Sequence, residues 1–426
     1  MSRKATPFRF RQLLPLIAAI LVLPFNLYAR TYRTISDFDY YVNGGNIEHG
    51  VTLDATGNLY GTTMNGGPLD YGVVFKLTKQ PDGTWAESVL HFFQGGSEGR
   101  GPVSGVTFDK NGNLYGATVA GGVSCADPRP AGCGTVYKLT PQPDGTWEHK
   151  VIYAFSGTEG IITGTELIFD RAGNLYGFSS AGNANCCGVV FSLKPDSDGS
   201  WSEEILYAFK GGRDGNFPVG NLVFDQAGNL YGETGQGGNK DCGTVFKLTP
   251  DPGGSWSESV VHSFCASKSD GRRPTGGLTM DASGNLFGVT WWGGGAAMPP
   301  CPLQTGCGTV FQLKPQSDGS WSYRKVHTFM DTPSAQPYGG VALDAAGNVY
   351  GTTVLNGTND HGTIFMLVHN PDDSFTGKTL HIFKGYPAIY PTGTLVLDES
   401  GTLYGTTVFS NPSSASLPGV VFKMIP

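Results

Sequence analysis

From residue 31 onward the chain alternates short apolar runs with turns rich in Gly, Asn and Asp, and no stretch keeps the 3.6-residue period of an amphipathic helix. One segment shows the pattern clearly. Val106-Thr107-Phe108-Asp109, Asn113 to Thr118, Thr135 to Leu139 and Trp147 to Phe155 each read as a strand, here named A, B, C and D. Asp109-Lys110-Asn111-Gly112-Asn113 joins A to B. The carboxylate can cap this tight hairpin, and Gly112 supplies the positive φ it needs. Pro143-Asp144-Gly145-Thr146-Trp147 joins C to D in the same way.

The whole unit recurs. Gly-Asn-Leu-Tyr-Gly begins at Gly57, Gly112, Gly173 and Gly228, with close variants at Gly284, Gly347 and Gly401. Successive copies lie 55, 61, 55, 56, 63 and 54 residues apart. Seven four-stranded antiparallel units at a near-constant period predict an all-β fold, a seven-bladed β-propeller. The seventh copy ends in strand C, Val420 to Met424. Its missing strand D is supplied by Thr31-Tyr32-Arg33-Thr34-Ile35-Ser36-Asp37-Phe38, which matches Lys150 to Phe155 of the second copy. The N-terminal strand is therefore expected to complete the last blade and close the ring, leaving no open edge.

The remainder of the N-terminus is of a different kind. Arg3, Lys4, Arg9 and Arg11 precede an apolar run from Leu13 to Leu27, and Leu27-Tyr28-Ala29 offers a cleavage site. Residues 1–29 thus read as an export signal, and residues 30–426 as a single propeller domain. Pro15 and Pro24 interrupt the run, which is shorter than the ~20 residues of a spanning helix, so no membrane span is expected after cleavage. The full chain carries 28 Lys and Arg against 35 Asp and Glu; without the signal, 24 face 35. An acidic chain without basic clusters is a poor nucleic-acid binder, so no nucleic-acid partner is expected. A monomer is expected, secreted or periplasmic, and its eight cysteines suit an oxidising compartment.

The pattern Gly-Asn-Leu-Tyr-Gly-Thr-Thr, a Gly-Gly loop, then Gly243-Thr244-Val245-Phe246-Lys247-Leu248 resembles the repeat of bacterial choice-of-anchor tandem-repeat GloVer-containing proteins. The resemblance implies an exported or cell-surface protein. The A–B portion is also similar to NHL-type propellers, which implies that strand A is innermost. The D–A and B–C connections then share one face, called the top here, and the hairpins share the other.

Comparison of the seven copies separates scaffold from candidate site. His91, His262, His327 and His381 share a slot with Tyr153, Tyr207 and Ser36, and read as packing. Trp85, Trp147, Trp201, Trp256 and Trp321 share another slot with Phe375. The aspartates of the Asp54 type recur in ring symmetry and read as turn caps. Residues that break the repeat are more informative. Trp291 and Trp292 replace the Met64-Asn65, Val119-Ala120 and Gly235-Gln236 pairs and precede Gly293-Gly294-Gly295, so a top-face loop patch is expected there, with Arg272 and Arg273 as neighbours. Glu166 and Asn221 replace Gly50, Gly105, Gly277 and Gly340 where strand A begins, and are channel-mouth candidates. That placement resembles gluconolactonase-like propellers, which hold a metal near strand-A starts. Two oxygen ligands fall short of the six or more that calcium takes, so no metal and no cofactor is expected. Glu48-His49 and Asp360-His361 are further deviations. No nucleophile–base set or spaced carboxylate pair can be assembled from residues outside the repeat slots, so no catalytic residue is assigned.

The expected role is binding of a glycan or an extracellular protein on the variable loop face. The alternative is a hydrolase or lyase with a channel-mouth site near Glu166 and Asn221. The expected disulfides are Cys125–Cys133, Cys301–Cys307 and Cys242–Cys265 within top-face loops, leaving Cys186 with Cys187.

Overall fold

The computed structural model describes residues 31–122, 132–157, 159–161, 164–183, 187–295, 306–329, 335–355, 361–409 and 418–426. Residues 1–30, and with them the expected export signal, lie outside this set, as do Cys125, Cys186, Cys301 and Asp360.

The described residues form seven four-stranded antiparallel blades, each ordered D-C-B-A, in the ring of a β-propeller. Blade 1 runs Thr52–Leu53, Leu59–Thr63, Val73–Lys79 and Trp85–Phe92. Blade 7 takes A, B and C from Val396–Leu397, Leu403–Thr406 and Val420–Ile425, and its strand D is Thr31–Asp37. Tyr32 pairs with Met424 and Asp37 with Val420, so the expected closure is present. Further bonds seal the seam near the axis. Thr392 Oγ1 donates to the Glu48 carbonyl at 3.0 Å, and Thr406 Oγ1 to that of His49 at 2.8 Å.

Each slot of the repeat has a packing reason. Gly61 sits opposite Phe75 in the ladder, and a Cβ there would lie 2.5 Å from the ring of Phe75, so the strand-B glycine makes room for the strand-C aromatic. The strand-D tryptophans join blades edge to face: Trp147 meets Tyr60, Trp201 meets Tyr115, and Trp85 of blade 1 meets Tyr404 of blade 7. The tyrosine hydroxyls reach back to the turn aspartates. Asp225 accepts from Ala227 N, Asn229 N, Asn229 Nδ2 and Tyr231 OH at 2.6–3.1 Å. The aspartates are turn caps, as their ring symmetry implied.

The innermost strands meet backbone to backbone. A Cβ on Gly276 would lie 2.5 Å from the carbonyl carbon of Gly339, and one on Gly393 would lie 2.5 Å from Gly50 N. Glycine therefore precedes strand A in most blades because the chains converge there, and the same convergence makes the floor of the site.

Candidate functional site

Above that glycine floor lies a cavity of about 580 Å³ on the top face, within the ~300–1,000 Å³ usual for ligand pockets. Gly220, Gly276, Gly339 and Gly393 form its base. Its walls come from the D–A connections and the ends of strand B in six of the seven blades; blade 2 contributes none.

Blade 5 supplies the aromatic wall. Trp291 and Trp292 were expected in a loop, but strand B of this blade runs on as Leu286–Gly293 and holds both, paired with Gly271–Pro274. Both rings are half-buried and line the cavity. Trp291 packs edge to face on Tyr338 of blade 6, with centroids 5.0 Å apart, and Trp292 carries the Arg273 guanidinium 5.1 Å above its ring. Phe217 and Phe178 add apolar surface from blades 4 and 3. Arg272 pairs with Trp292 in the ladder and is not among the lining residues; its Nε is buried with no hydrogen-bond partner.

Glu48, His49 and Glu166 supply the titratable groups beside Arg273. Burial raises both glutamate carboxyls above the ordinary range and pushes the His49 imidazole down to about 4, so that ring is neutral at physiological pH. Burial, then the charge of Glu48, raises the Tyr338 phenol. Asn221 does not reach the cavity. Its Oδ1 accepts from Leu278 N at 2.7 Å and ties blade 4 to blade 5.

Comparison of copies missed one class of site residue. The D–A connection holds a residue at positive φ in six blades: Asn46, Gly101, Phe217, Arg273, Gln336 and Tyr390, all between 55° and 63°. Such a conformation costs a non-glycine residue about 1–2 kcal/mol and persists only where its surroundings impose it. They do so here. Arg273 N donates to the Cys242 carbonyl at 2.8 Å, Phe217 N to Cys187, and Gln336 N to Cys307. The next residue is proline in five of the six, and Pro274 packs on Gly243 of the preceding blade. Phe217 and Arg273 line the cavity. The signal was available as a variable residue ahead of a recurrent proline, seven positions before the turn aspartate.

The cysteines brace this arrangement. Cys242 and Cys265 are bonded, with Cα atoms 6.0 Å apart, as expected. Cys133, Cys187 and Cys307 are also disulfide-bonded; the expected partners Cys125, Cys186 and Cys301 lie outside the described residues. His361 is buried, and its carbonyl accepts from Tyr390 N.

A second cluster sits on the outer strands. The His91 ring contacts the Glu98 carboxylate and stacks on His149 at 4.2 Å and 9°. Ring-nitrogen lone pairs lie in the ring plane, so two parallel imidazoles do not converge on one ion. The interface of blades 4 and 5 repeats the device: His262 contacts the Asp270 carboxylate and stacks on Tyr323 at 4.2 Å and 4°. The strand-D histidines are thus inter-blade packing.

The family model of the Gloeobacter/Verrucomicrobia repeat matches residues 126–298. No curated protein sequence matches the chain. Among solved structures, a protein described as a gluconolactonase is 17% identical over 68% of this chain and 80% of its own, with a TM-score of 0.37. A protein of Thermus thermophilus described as a glucose dehydrogenase is 16% identical over 76% of this chain and 96% of its own, with a TM-score of 0.45. The NanB sialidase of Streptococcus pneumoniae is 13% identical over 92% of this chain and 70% of its own, also at 0.45. The blade geometry, not these likenesses, defines the fold. By its seven repeats the chain is a seven-bladed β-propeller, and residues 126–298 of it are similar to the Gloeobacter/Verrucomicrobia repeat.

Proposed function

We propose that this chain is a secreted or periplasmic recognition propeller whose top-face cavity binds a glycan. The observation that carries the reading is the convergence of Trp291, Trp292 and Tyr338 with Glu48, Glu166 and Arg273 in one cavity. Flat aromatic rings suit the apolar faces of sugar rings. Carboxylates accept from sugar hydroxyls, and a guanidinium donates to ring and carboxylate oxygens. Export is supported by the basic-then-apolar N-terminus and by the Cys242–Cys265 disulfide, and no helix among the described residues is long and apolar enough to cross a membrane. A glycan array probed with residues 30–426 tests the reading: selective retention of one glycan class supports it, and uniform blank signal across the array contradicts it.

A hydrolase or lyase reading of the same cavity rests on Glu166, whose raised carboxyl has the character of a general acid. Its expected companion Asn221 is engaged elsewhere. Release of shortened products from a bound glycan, abolished by Glu166→Gln, would establish it; intact glycan after prolonged incubation would dismiss it.

A further inference from the structure

We infer that Arg273 is the specificity-determining residue of the cavity and that it selects glycans bearing a carboxylate, that is, uronic-acid sugars. The inference rests on the glycan reading and extends it to a ligand class.

Arg273 is the one Lys or Arg among the described residues lining the cavity. The same slot holds Asn46, Gly101, Phe217, Gln336 and Tyr390 in other blades, so the positive charge is particular to the blade that also carries Trp291 and Trp292. Its backbone is fixed on both sides. Arg273 N donates to the Cys242 carbonyl at 2.8 Å, Cys242 is bonded to Cys265, and Cys265 N donates to the Gly271 carbonyl at 3.2 Å. The disulfide thus brackets the segment that presents the guanidinium. The side chain is braced as well, 5.1 Å above the Trp292 ring.

The salt bridges among the described residues include none to Arg273, although the chain is acidic overall. Elsewhere, Arg324 does pair with Asp373, at 2.9 Å. A pre-oriented fork of donors without a carboxylate partner, beside aromatic rings, matches a sugar that offers both a flat face and a carboxylate. Burial raises the Glu48 and Glu166 carboxyls, which lessens their repulsion of such a ligand.

The test compares binding of residues 30–426 to oligogalacturonides and to neutral galacto-oligosaccharides of the same length, by calorimetry at low and moderate salt. The expected result is a preference of about tenfold or more for the uronate, weakened by salt. In Arg273→Gln that preference should disappear, the uronate losing about tenfold more affinity than the neutral sugar. Glutamine already occupies this slot as Gln336 at φ 55°, so the variant retains a native conformation. Equal wild-type affinity for the two sugars, or a preference that survives Arg273→Gln, overturns the inference and leaves the glycan reading standing. Binding of neither sugar while the array retains a neutral glycan of another kind overturns only the inference; a blank array overturns both.

Discussion

The two faces of the ring are built by opposite rules. On the hairpin face the same bonds recur: Asp54, Asp109, Asp170, Asp225, Asp344 and Asp398 each accept a tyrosine hydroxyl as well as turn N–H groups, and only blade 5, with Phe287, lacks the phenol. On the top face the backbone device recurs while the side chain it displays changes from blade to blade. Repetition there fixes where a side chain points and leaves its chemistry free. A propeller built this way can vary the side chains of its top face without altering its fold, because the recurrent turn bonds and inter-blade rings do not involve them.

This contrast can be broken at either face. Removing residues 31–37 should have the largest effect. It strips strand D from blade 7, exposes the edge of Val420–Ile425 and removes Tyr32 from its contacts with His381, Phe383 and Phe422. A loss above about 4 kcal/mol, with aggregation, is expected by calorimetry and light scattering. An unchanged melting curve would remove closure as a source of stability. Asp225→Ala comes next. It leaves Ala227 N, Asn229 N and Tyr231 OH without their acceptor and should cost about 2–3 kcal/mol in urea unfolding, with ligand binding intact.

A smaller effect follows from the buried histidines. Burial, then the neighbouring His91, holds the His149 imidazole down to about 3, and burial, then Lys384, holds that of His381 down to about 4. An unfolded histidine titrates near ~6.5. Above that value neither state is protonated. Below it the unfolded chain takes up protons that the folded chain refuses, so stability should fall as pH drops from about 6.5 towards 3. His149→Tyr, which copies Tyr323 of blade 5 on His262, should flatten the slope of melting temperature against pH over this range. An unaltered slope would place the acid sensitivity elsewhere. The smallest effect is expected on the variable face. Arg273→Gln should shift stability by no more than about 0.5 kcal/mol, since Arg273 is exposed and glutamine already takes this backbone conformation as Gln336.

The hairpin face was the more legible in sequence for a physical reason. Each turn is determined within a few residues, so Asp225-Gln226-Ala227-Gly228-Asn229 contains its own cap and its own positive φ. The ring followed from counting, and its closure from the displaced Thr31–Asp37 strand. The site was legible only in part. Trp291, Trp292, Arg273 and Glu166 stand out because they break the repeat, and the structure brings all four to one cavity. Glu48 and His49 reach it because blade 1 follows blade 7 around the ring, a neighbourhood that closure alone creates. Asn221 breaks the same slot as Glu166, yet its short amide is captured by Leu278 N across the blade interface. Spacing cannot distinguish those two fates. Nor could local pattern place Trp291 and Trp292 in a strand, since their pairing partner is the Gly271–Pro274 segment, some 20 residues upstream.

The central claim is that the aromatic wall of the top-face cavity binds a ligand and does not merely cover the core. The most direct measurement is paired calorimetry on Trp291→Ala/Trp292→Ala: titration with a glycan retained on the array, and thermal unfolding of the same preparation. The account predicts that affinity falls by at least about a hundredfold, since each ring can bury ~150–250 Å² against a partner, while the melting temperature stays near that of the unaltered chain. A double variant that loses stability and keeps its affinity would contradict it, and would make the two tryptophans part of the scaffold.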